Sequence, residues 1–301
     1  MKKYDKIVQM DSDFKPISDI TVLDKLPAGI YEVNQNMQGE IYFSKIKTNH
    51  DDLIDLPSVA YDQVIKEIEL FMQPETRQKF ADNGFLYKRS SLLYGPPGTG
   101  KTCIVNRIAH SVVNEGGVAL FSPNPKLLEE SFKILDGIQP ETRVMVIFEE
   151  LDQLMARYES ELLNILDGEI QKSNVIYIAT TNYIDKIPAR IRRPGRFSSV
   201  VQVAFPSSET RRFYLNYKFK GRMDIEAWVA KTDGFSVDEL KETALSVLCL
   251  NADLNVIVKR IKENKGESVE EPSEEQHSVD DCFDEDCARC KGGSFLSTQK
   301  D

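Results

Sequence analysis

The sequence lacks the features of membrane and secreted proteins. None of its 301 residues belongs to an apolar run approaching the roughly 20 residues that span a bilayer. The first ten residues carry charge but no apolar segment follows them, so we expect no signal peptide. The five cysteines are unevenly spread and do not resemble the framework of a disulfide-stabilised domain. These absences predict a cytoplasmic protein without a membrane partner.

Negative charge is concentrated near the end of the chain. The formal net charge is −10, and residues 263–290 hold eleven acidic side chains against Lys265 and Arg289. The remaining residues are therefore close to neutral. After residue 263 the composition shifts to Glu, Ser, Asp and Gly, which cannot bury enough apolar surface to become ordered. We predict that residues 264–301 form a disordered acidic tail.

The acidic tail also contains potential zinc ligands. They follow the spacing H-x4-C-x4-C-x2-C and are His277, Cys282, Cys287 and Cys290. One imidazole and three thiolates this close in sequence could complete a tetrahedral zinc site. We favour the alternative, a disordered tail with incidental cysteines, because the spacing fits no zinc-binding family.

The first 88 residues divide into two regions. In residues 1–56, apolar runs at Gly29–Val33 and Glu40–Ile46 flank turn residues and predict a β-hairpin in a small β-rich region. In residues 57–88, apolar residues at helical spacing predict one connecting helix over Tyr61–Phe80.

The next two regions predict an α/β core and a helical lid. Residues 89–206 alternate helical patterns with five apolar strands, at Ser91–Tyr94, Val118–Phe121, Val144–Phe148, Val175–Ala179 and Val200–Ala204. Such alternation predicts a parallel five-stranded sheet covered by helices on both faces. Residues 207–263 show no strand pattern and about four amphipathic helices, which predicts a small all-helical lid.

A phosphate-binding pattern, G-x-x-x-x-G-K-[ST], follows the first core strand. Its residues are Gly95, Pro96, Pro97, Gly98, Thr99, Gly100, Lys101 and Thr102. The glycines let backbone N–H groups converge on phosphate oxygens at the start of a helix. We expect Lys101 to reach the β- and γ-phosphates of ATP and Thr102 to ligate Mg²⁺. Cys103 completes the predicted nucleotide-binding segment, although its helical setting favours a core position.

Two polar groups follow later core strands. Glu149 and Glu150 come directly after Val144–Phe148, where one carboxylate could hold magnesium and the other could orient the attacking water. Neighbouring side chains on a strand point to opposite faces, which would let the two carboxylates divide these tasks. Asn182 follows the next strand and could position the lytic water, although Asn is also ordinary in turns.

Four arginines lie within seven residues, at Arg190, Arg192, Arg193 and Arg196. Guanidinium groups suit bidentate phosphate contacts and the stabilisation of transition-state charge. A solvated basic loop and a nucleic-acid patch are the alternatives.

In order and spacing, these motifs resemble those of AAA ATPases of the AAA+ class. The resemblance rests on GPPGTGKT, Glu-Glu after an apolar strand, Thr-Thr-Asn and Arg-Pro-Gly-Arg-Phe, and it covers roughly residues 57–263. Within the family the chain is most similar to the branch of the mitochondrial Rieske-protein chaperone. The similarity lies in YKRSSLLY at 87–94 and LLNILDG at 162–168. That branch has a membrane anchor, which is not expected here.

The resemblance implies a role for each motif. Lys101 and Thr102 would bind Mg-ATP, Glu149 would hold the metal, and Glu150 and Asn182 would act on the lytic water. Arg193 and Arg196 would be arginine fingers inserted into the neighbouring subunit of a homo-oligomeric ring, expected to be a hexamer that acts on a protein client. Gly234-Phe235-Ser236 resembles a run that lies near the adenine in related lids.

Two departures from the family pattern leave alternatives open. Glu149 occupies a position that is usually Asp, so a nucleotide-gated scaffold with little turnover is one alternative. Residues 122–130 lack the aromatic–aliphatic–Gly triplet of threading rings, which argues against threading an unfolded chain. A DNA-transaction ATPase of the clamp-loader or initiator type is a further alternative. Its support is a basic run formed by Arg211, Arg212, Lys218, Lys220 and Arg222, and it is not favoured because the acidic tail repels phosphate.

Overall fold

The computed structural model describes residues 6–10, 13–17, 21–46, 54–121, 124–167, 172–221 and 224–267. The potential zinc ligands and the predicted tail after residue 267 lie outside the described residues. The strands are β1 (Lys6–Met10), β2 (Asp13–Ile17), β3 (Gly29–Gln35), β4 (Ile41–Lys45), β5 (Lys88–Tyr94), β6 (Val118–Phe121), β7 (Val144–Phe148), β8 (Val175–Thr181) and β9 (Ser199–Gln202). The helices are α1 (Val59–Met72), α2 (Pro74–Asp82), α3 (Lys101–Asn114), α4 (Pro125–Ile138), α5 (Leu151–Asp167), α6 (Ser208–Phe219), α7 (Ile225–Lys231), α8 (Val237–Leu250) and α9 (Leu254–Glu267).

The five predicted core strands form the parallel part of a larger sheet. The sheet has seven strands in the order β4-β3-β6-β7-β8-β5-β9. Strands β6, β7, β8, β5 and β9 pair in parallel with their neighbours, which confirms the predicted α/β class. Strand β5, which leads into the glycine-rich loop, therefore lies between β8 and β9.

Helices cover both faces of the sheet because its central strands are apolar on both sides. One core cluster packs α4 and α5 against alternate strand residues such as Val146 and Tyr177. The other packs α1 and α3 against the intervening residues, such as Met145 and Ile176. Every residue of β7 and β8 is buried, as expected for parallel strands between two helical layers.

The predicted hairpin is not a separate region but belongs to the central sheet. Strands β3 and β4 form it, and β3 also pairs in parallel with β6 over Gly29–Tyr31. The sheet consequently has two strands more than predicted. The physical reason is that the outer edge of β6 has backbone N–H and C=O groups that need hydrogen-bond partners, and β3 supplies them. Strands β1 and β2 form an antiparallel two-stranded sheet that the sequence did not predict.

The predicted connecting helix is two helices. Strictly periodic apolar residues suggested a single helix over residues 61–80, but α1 ends at Met72 and α2 begins at Pro74. Gln73 between them is extended, with ψ of 138°. Proline has no N–H and disfavours helical backbone in the residue before it, so it ends one helix and starts the next.

The predicted lid contains helices α6, α7, α8 and the beginning of α9. The chain forms one compact unit up to Val258. The second unit begins at Lys259, and its described part is the end of α9, where Lys259 Nζ lies 3.6 Å from Glu263 Oε1. Within the described ranges, no helix combines the length and apolarity needed to cross a membrane.

Candidate nucleotide-binding site

The glycine-rich loop connects β5 to α3 and is closely packed. Gly95 has φ of +153°, and its N–H donates to the Thr181 carbonyl at 3.3 Å. A Cβ atom at Gly95 would lie 2.1 Å from the Val203 carbonyl oxygen, so no other residue fits. Gly98 and Gly100 also have positive φ, of +73° and +99°. The loop thus depends on glycine for both its backbone conformation and its contact with the chain after β9.

Lys101 is buried under this loop. Its ammonium group donates to the carbonyl oxygens of Gly95, at 2.8 Å, and Pro96, at 2.7 Å. Burial lowers the pKa of Lys101, and the negative charge of Asp238 opposes that shift. Thr99 also closes the loop, because its hydroxyl donates to the Pro96 carbonyl at 2.9 Å.

The sequence motifs meet in one cavity of about 270 Å³, which we call the phosphate cavity. Its lining residues are Pro97, Gly98, Gly100, Lys101, Thr102, Cys103, Glu149, Glu150, Thr180, Asn182, Val237 and Asp238. Gly95, Pro96 and Thr99 lie behind the cavity, where they hold the loop and the lysine. The loop, the strand ends and the lid therefore contribute to a single site.

Glu149 and Glu150 both line the phosphate cavity, although the alternation of side chains along a strand predicted that they would point to opposite faces. Strand β7 ends at Phe148, so neither glutamate is on the strand. Glu150 has φ of +52°, an uncommon conformation for a residue with a side chain, and this turn brings it to the cavity wall beside Glu149. Its Oε2 accepts a hydrogen bond from the Gln153 side chain at 2.6 Å.

Glu149 is partly buried and incompletely paired. Its Oε1 is buried and has no hydrogen-bond partner among the described residues. Burial raises the pKa of Glu149; a hydrogen bond with Thr102 lowers it, and the charge of Glu150 raises it. A buried carboxylate oxygen without a partner is costly unless a cation binds it. Together with the Thr102 hydroxyl it offers the oxygen ligands that Mg²⁺ prefers, so the donor set fits magnesium bound with a nucleotide phosphate.

Asn182 lies in a loop fixed by the residue before it. The Thr181 hydroxyl donates to Asp152 Oδ1 at 2.6 Å and accepts from the Tyr183 backbone N–H at 3.0 Å. Asp152 is in the first turn of α5, directly after the two glutamates. The Asn182 backbone is thus held between two anchored residues. Asp152 belongs to no motif that could have marked it in the sequence.

The predicted arginine fingers lie outside the phosphate cavity of their own chain. Arg193 is exposed, and its side chain forms no ion pair within the described ranges. Arg196 is less exposed: its Nη1 donates to the Arg190 carbonyl at 2.7 Å, and its Nε lies 3.3 Å from Asp167 Oδ2. The two arginines therefore differ, since Arg196 is engaged within the chain and Arg193 is available.

Sequence reasoning missed the segment before α1, which borders the same loop. A cavity of about 470 Å³ is lined by residues 56–60 and 202–207 and reaches Thr99 and Val237. The same segment also contacts the helix that follows the loop, because the Cys103 thiol of α3 donates to the Ile54 carbonyl at 3.7 Å. Ile54 and Leu56 have no motif that could have marked them; their place beside the loop is a product of the tertiary fold.

These features define an α/β nucleotide-binding protein with a P-loop. Residues 91–205 match the model of the ATPase family associated with various cellular activities, AAA, so the chain carries an AAA domain. The branch within this family stays a prediction.

Three relatives illustrate the similarity. The chain is 27% identical over 249 residues to the human ATPase family gene 2 protein homolog A, covering 69% of this chain and 27% of that protein. It is 28% identical over 220 residues to proteasome-activating nucleotidase 2 of Haloferax volcanii, covering 62% and 53%. It is 27% identical over 285 residues to the cell division cycle protein 48 homolog of Archaeoglobus fulgidus, covering 82% and 37%. The chain therefore spans between about a quarter and about a half of these relatives.

Proposed function

We propose that this chain hydrolyses Mg-ATP at interfaces between identical subunits and uses the energy to remodel a protein partner in the cytoplasm. The observation that carries the proposal is the meeting of Lys101, Thr102, Glu149, Glu150 and Asn182 around one cavity. In that order, these residues offer a cation that binds phosphate, two oxygen ligands for magnesium, a carboxylate that activates the attacking water and an amide that orients this water.

The cis residues divide the reaction among them. Lys101 exchanges the carbonyls of Gly95 and Pro96 for the β- and γ-phosphates of ATP. Thr102 and Glu149 would hold magnesium, which would supply positive charge against the charge that develops on the phosphates. Glu150 accepts a hydrogen bond from the attacking water and aligns it with the γ-phosphate, and Asn182 fixes the same water from the neighbouring strand end.

The arginines are proposed to act in the neighbouring subunit. Lys101 is the one cationic side chain among the described residues that line the phosphate cavity, so the second cation must come from elsewhere. Arg193 is exposed and without an ion pair in the described part of the chain, which suits insertion into another subunit. Head-to-tail packing of this kind closes into a ring, which we propose to be a hexamer.

A protein client is favoured over DNA. Arg211 is buried and bonded to the Pro206 carbonyl and to Asp233, and Arg212 pairs with Glu226 through two hydrogen bonds. Two of the five residues in the basic run that supported a DNA-transaction ATPase are therefore engaged within the lid. The name of one relative, a proteasome-activating nucleotidase, also points to work on proteins.

A nucleotide-gated scaffold with little turnover is the second candidate. The observation that favours it is Glu149, a residue one methylene longer than the usual Asp, whose Oε1 is buried and has no hydrogen-bond partner within the described ranges. A metal held slightly out of place by this side chain would leave nucleotide binding intact and slow the chemical step.

Two substitutions separate these functions. Lys101→Ala removes the cation of the loop and should abolish ATP binding in calorimetry. Glu150→Gln keeps the shape of the site but loses the water-activating carboxylate, so it should bind ATP and lose nearly all phosphate release.

Glu161→Gln is the matched control, because Glu161 is a half-buried residue of α5 outside the phosphate cavity, 3.7 Å from Lys126 Nζ, and the variant should bind and hydrolyse ATP like the wild type. Tight nucleotide binding by Lys101→Ala would refute the P-loop assignment. Wild-type protein that binds ATP but releases no phosphate would support the scaffold instead.

A further inference from the structure

The lid places a carboxylate over the glycine-rich loop. The backbone N–H groups of Val237 and Asp238 donate to the Gly98 carbonyl, at 2.9 and 3.3 Å. A Cβ atom built on Gly98 would lie 3.1 Å from Asp238 Oδ2, so the carboxylate lies directly against the loop. Asp238 also lines the phosphate cavity, which neither the motifs nor the proposed mechanism accounts for.

The start of α8 holds this carboxylate in place. Ser236 caps the helix, with its Oγ accepting from the Glu239 N–H at 3.2 Å and its own N–H donating to Glu239 Oε2 at 2.6 Å. Phe235 and Leu240, on either side of the cap, are buried. The capped and anchored helix end therefore fixes the backbone of Asp238, and with it the place from which the carboxylate extends.

The charge of the phosphate cavity is unfavourable for an anion. Its ionisable carboxylates are Glu149, Glu150 and Asp238, against the single ammonium of Lys101. Glu149 and Glu150 have roles in the proposed mechanism, whereas the Asp238 side chain forms no hydrogen bond or ion pair in the part of the chain that the structure describes. Asp238 is close enough for its charge to act on Lys101.

We infer that Asp238 weakens nucleotide binding, by repelling the phosphates and by competing with them for Lys101, so that tight binding requires a divalent cation. The inference rests on the proposed nucleotide site. Free ATP carries more negative charge than Mg-ATP or ADP, so the effect should be greatest for free ATP. A carboxylate near the surface at this range is worth on the order of a factor of ten in affinity.

The test compares Asp238→Asn with the wild type in the full chain. Dissociation constants for ADP and a non-hydrolysable ATP analogue are measured by calorimetry, in EDTA and in excess Mg²⁺. Without the metal, Asp238→Asn should bind the ATP analogue about tenfold more tightly, with a smaller gain for ADP and the smallest gain in Mg²⁺. Raising the salt concentration should reduce the gain, because it screens the charge.

Glu242→Gln is the matched control, since it removes the same charge one turn further along α8, outside the phosphate cavity. It should leave all dissociation constants unchanged. Asp238→Ser, which keeps a polar side chain at the helix start, should reproduce the gain if Asp238→Asn melts early.

Unchanged or weaker binding by both Asp238 variants overturns the inference while leaving the proposed function intact. A loss confined to Mg²⁺ conditions also overturns it and makes Asp238 a support for the metal. Wild-type protein that binds no nucleotide under any condition rejects the proposed function itself, and the inference with it.

Discussion

At the scale of single residues, Asp152 links the two strand ends whose polar residues we propose to act on the lytic water. It follows Glu149 and Glu150 in the chain, and it accepts the 2.6 Å hydrogen bond from Thr181 that fixes the loop of Asn182. Asp152 does not line the phosphate cavity, so we propose that it acts by positioning Asn182.

Asp152→Ala should lower ATP turnover about tenfold with little change in nucleotide affinity. The substitution leaves the Thr181 hydroxyl without its acceptor, and Asn182 loses its fixed orientation toward the water. Steady-state phosphate release and calorimetric binding of ADP measure the two effects separately.

Asp185→Ala is the control, because Asp185 is exposed in the short 3-10 helix just after Asn182 and its side chain forms no hydrogen bond in the described ranges. Asp152→Asn, which retains an acceptor, should recover much of the rate. Equal loss of binding and turnover in Asp152→Ala would argue for a general structural role.

The sequence predicted the cavity residues that stand in contiguous motifs or directly after apolar strands. This group consists of Lys101, Glu149, Glu150 and Asn182, and it could be predicted because parallel strands bring their carboxyl ends to one edge of a sheet. The sequence did not predict the contributions of Asp152 and Asp238. Asp152 matters through a hydrogen bond to a distant strand and Asp238 through the docking of α8 on the loop, and neither contact leaves a periodic pattern.

At the scale of secondary-structure elements, periodicity predicted the two strands of the hairpin but not that one of them pairs with β6. Residues Gly29–Val33 alternate as a strand does, yet nothing in that pattern indicates that β3 pairs with β6. Partner choice depends on which sheet edge is free in three dimensions. The break at Pro74, by contrast, was available from the sequence, since proline within a helical pattern marks a boundary.

Deleting residues 1–46 should destabilise the ATPase core. The deletion removes Tyr31 and Val33, which are 3% and 7% exposed and belong to the main core cluster, and it uncovers the edge of β6. We expect a lower melting temperature, by about 5 °C or more, and aggregation through the free edge.

The matched control is deletion of residues 1–20, which removes β1 and β2 and leaves the seven-stranded sheet complete. Its melting temperature should stay close to that of the full chain. If the longer deletion melts like the full chain and remains monodisperse in light scattering, the hairpin is an appendage after all.

At the scale of the whole molecule, substitutions of the two proposed finger arginines should differ in their effect on stability but agree in their effect on ATP turnover. Arg193→Ala removes an exposed cation and should leave the melting temperature unchanged, whereas Arg196→Ala loses the Arg190 hydrogen bond and should cost about 1 kcal/mol of stability. Both should bind ATP and hydrolyse it poorly, by a factor of roughly 10³ or more if the fingers act in trans.

Mixing provides the decisive comparison. Arg193→Ala and Glu150→Gln should each hydrolyse ATP poorly alone, but a mixed ring would contain interfaces where an intact Glu150 faces an intact Arg193. Phosphate release should therefore reappear on mixing, and wild-type turnover per subunit should rise with protein concentration. Flat turnover on dilution to a demonstrated monomer would show that the site is complete within one chain.

The pairing of β3 with β6 also orders events during synthesis. Gly29 pairs with Val118, and the hairpin ends at Lys45, so the ribosome completes the hairpin about seventy residues before its partner strand begins. At roughly 5–20 residues per second, the hairpin waits on the order of 4 to 15 seconds. A lone two-stranded hairpin is marginal in water, and the apolar side chains of Tyr31 and Val33 have no core to enter during that interval. The nascent chain thus displays an apolar segment that cellular chaperones or proteases can reach before any ATPase core has formed.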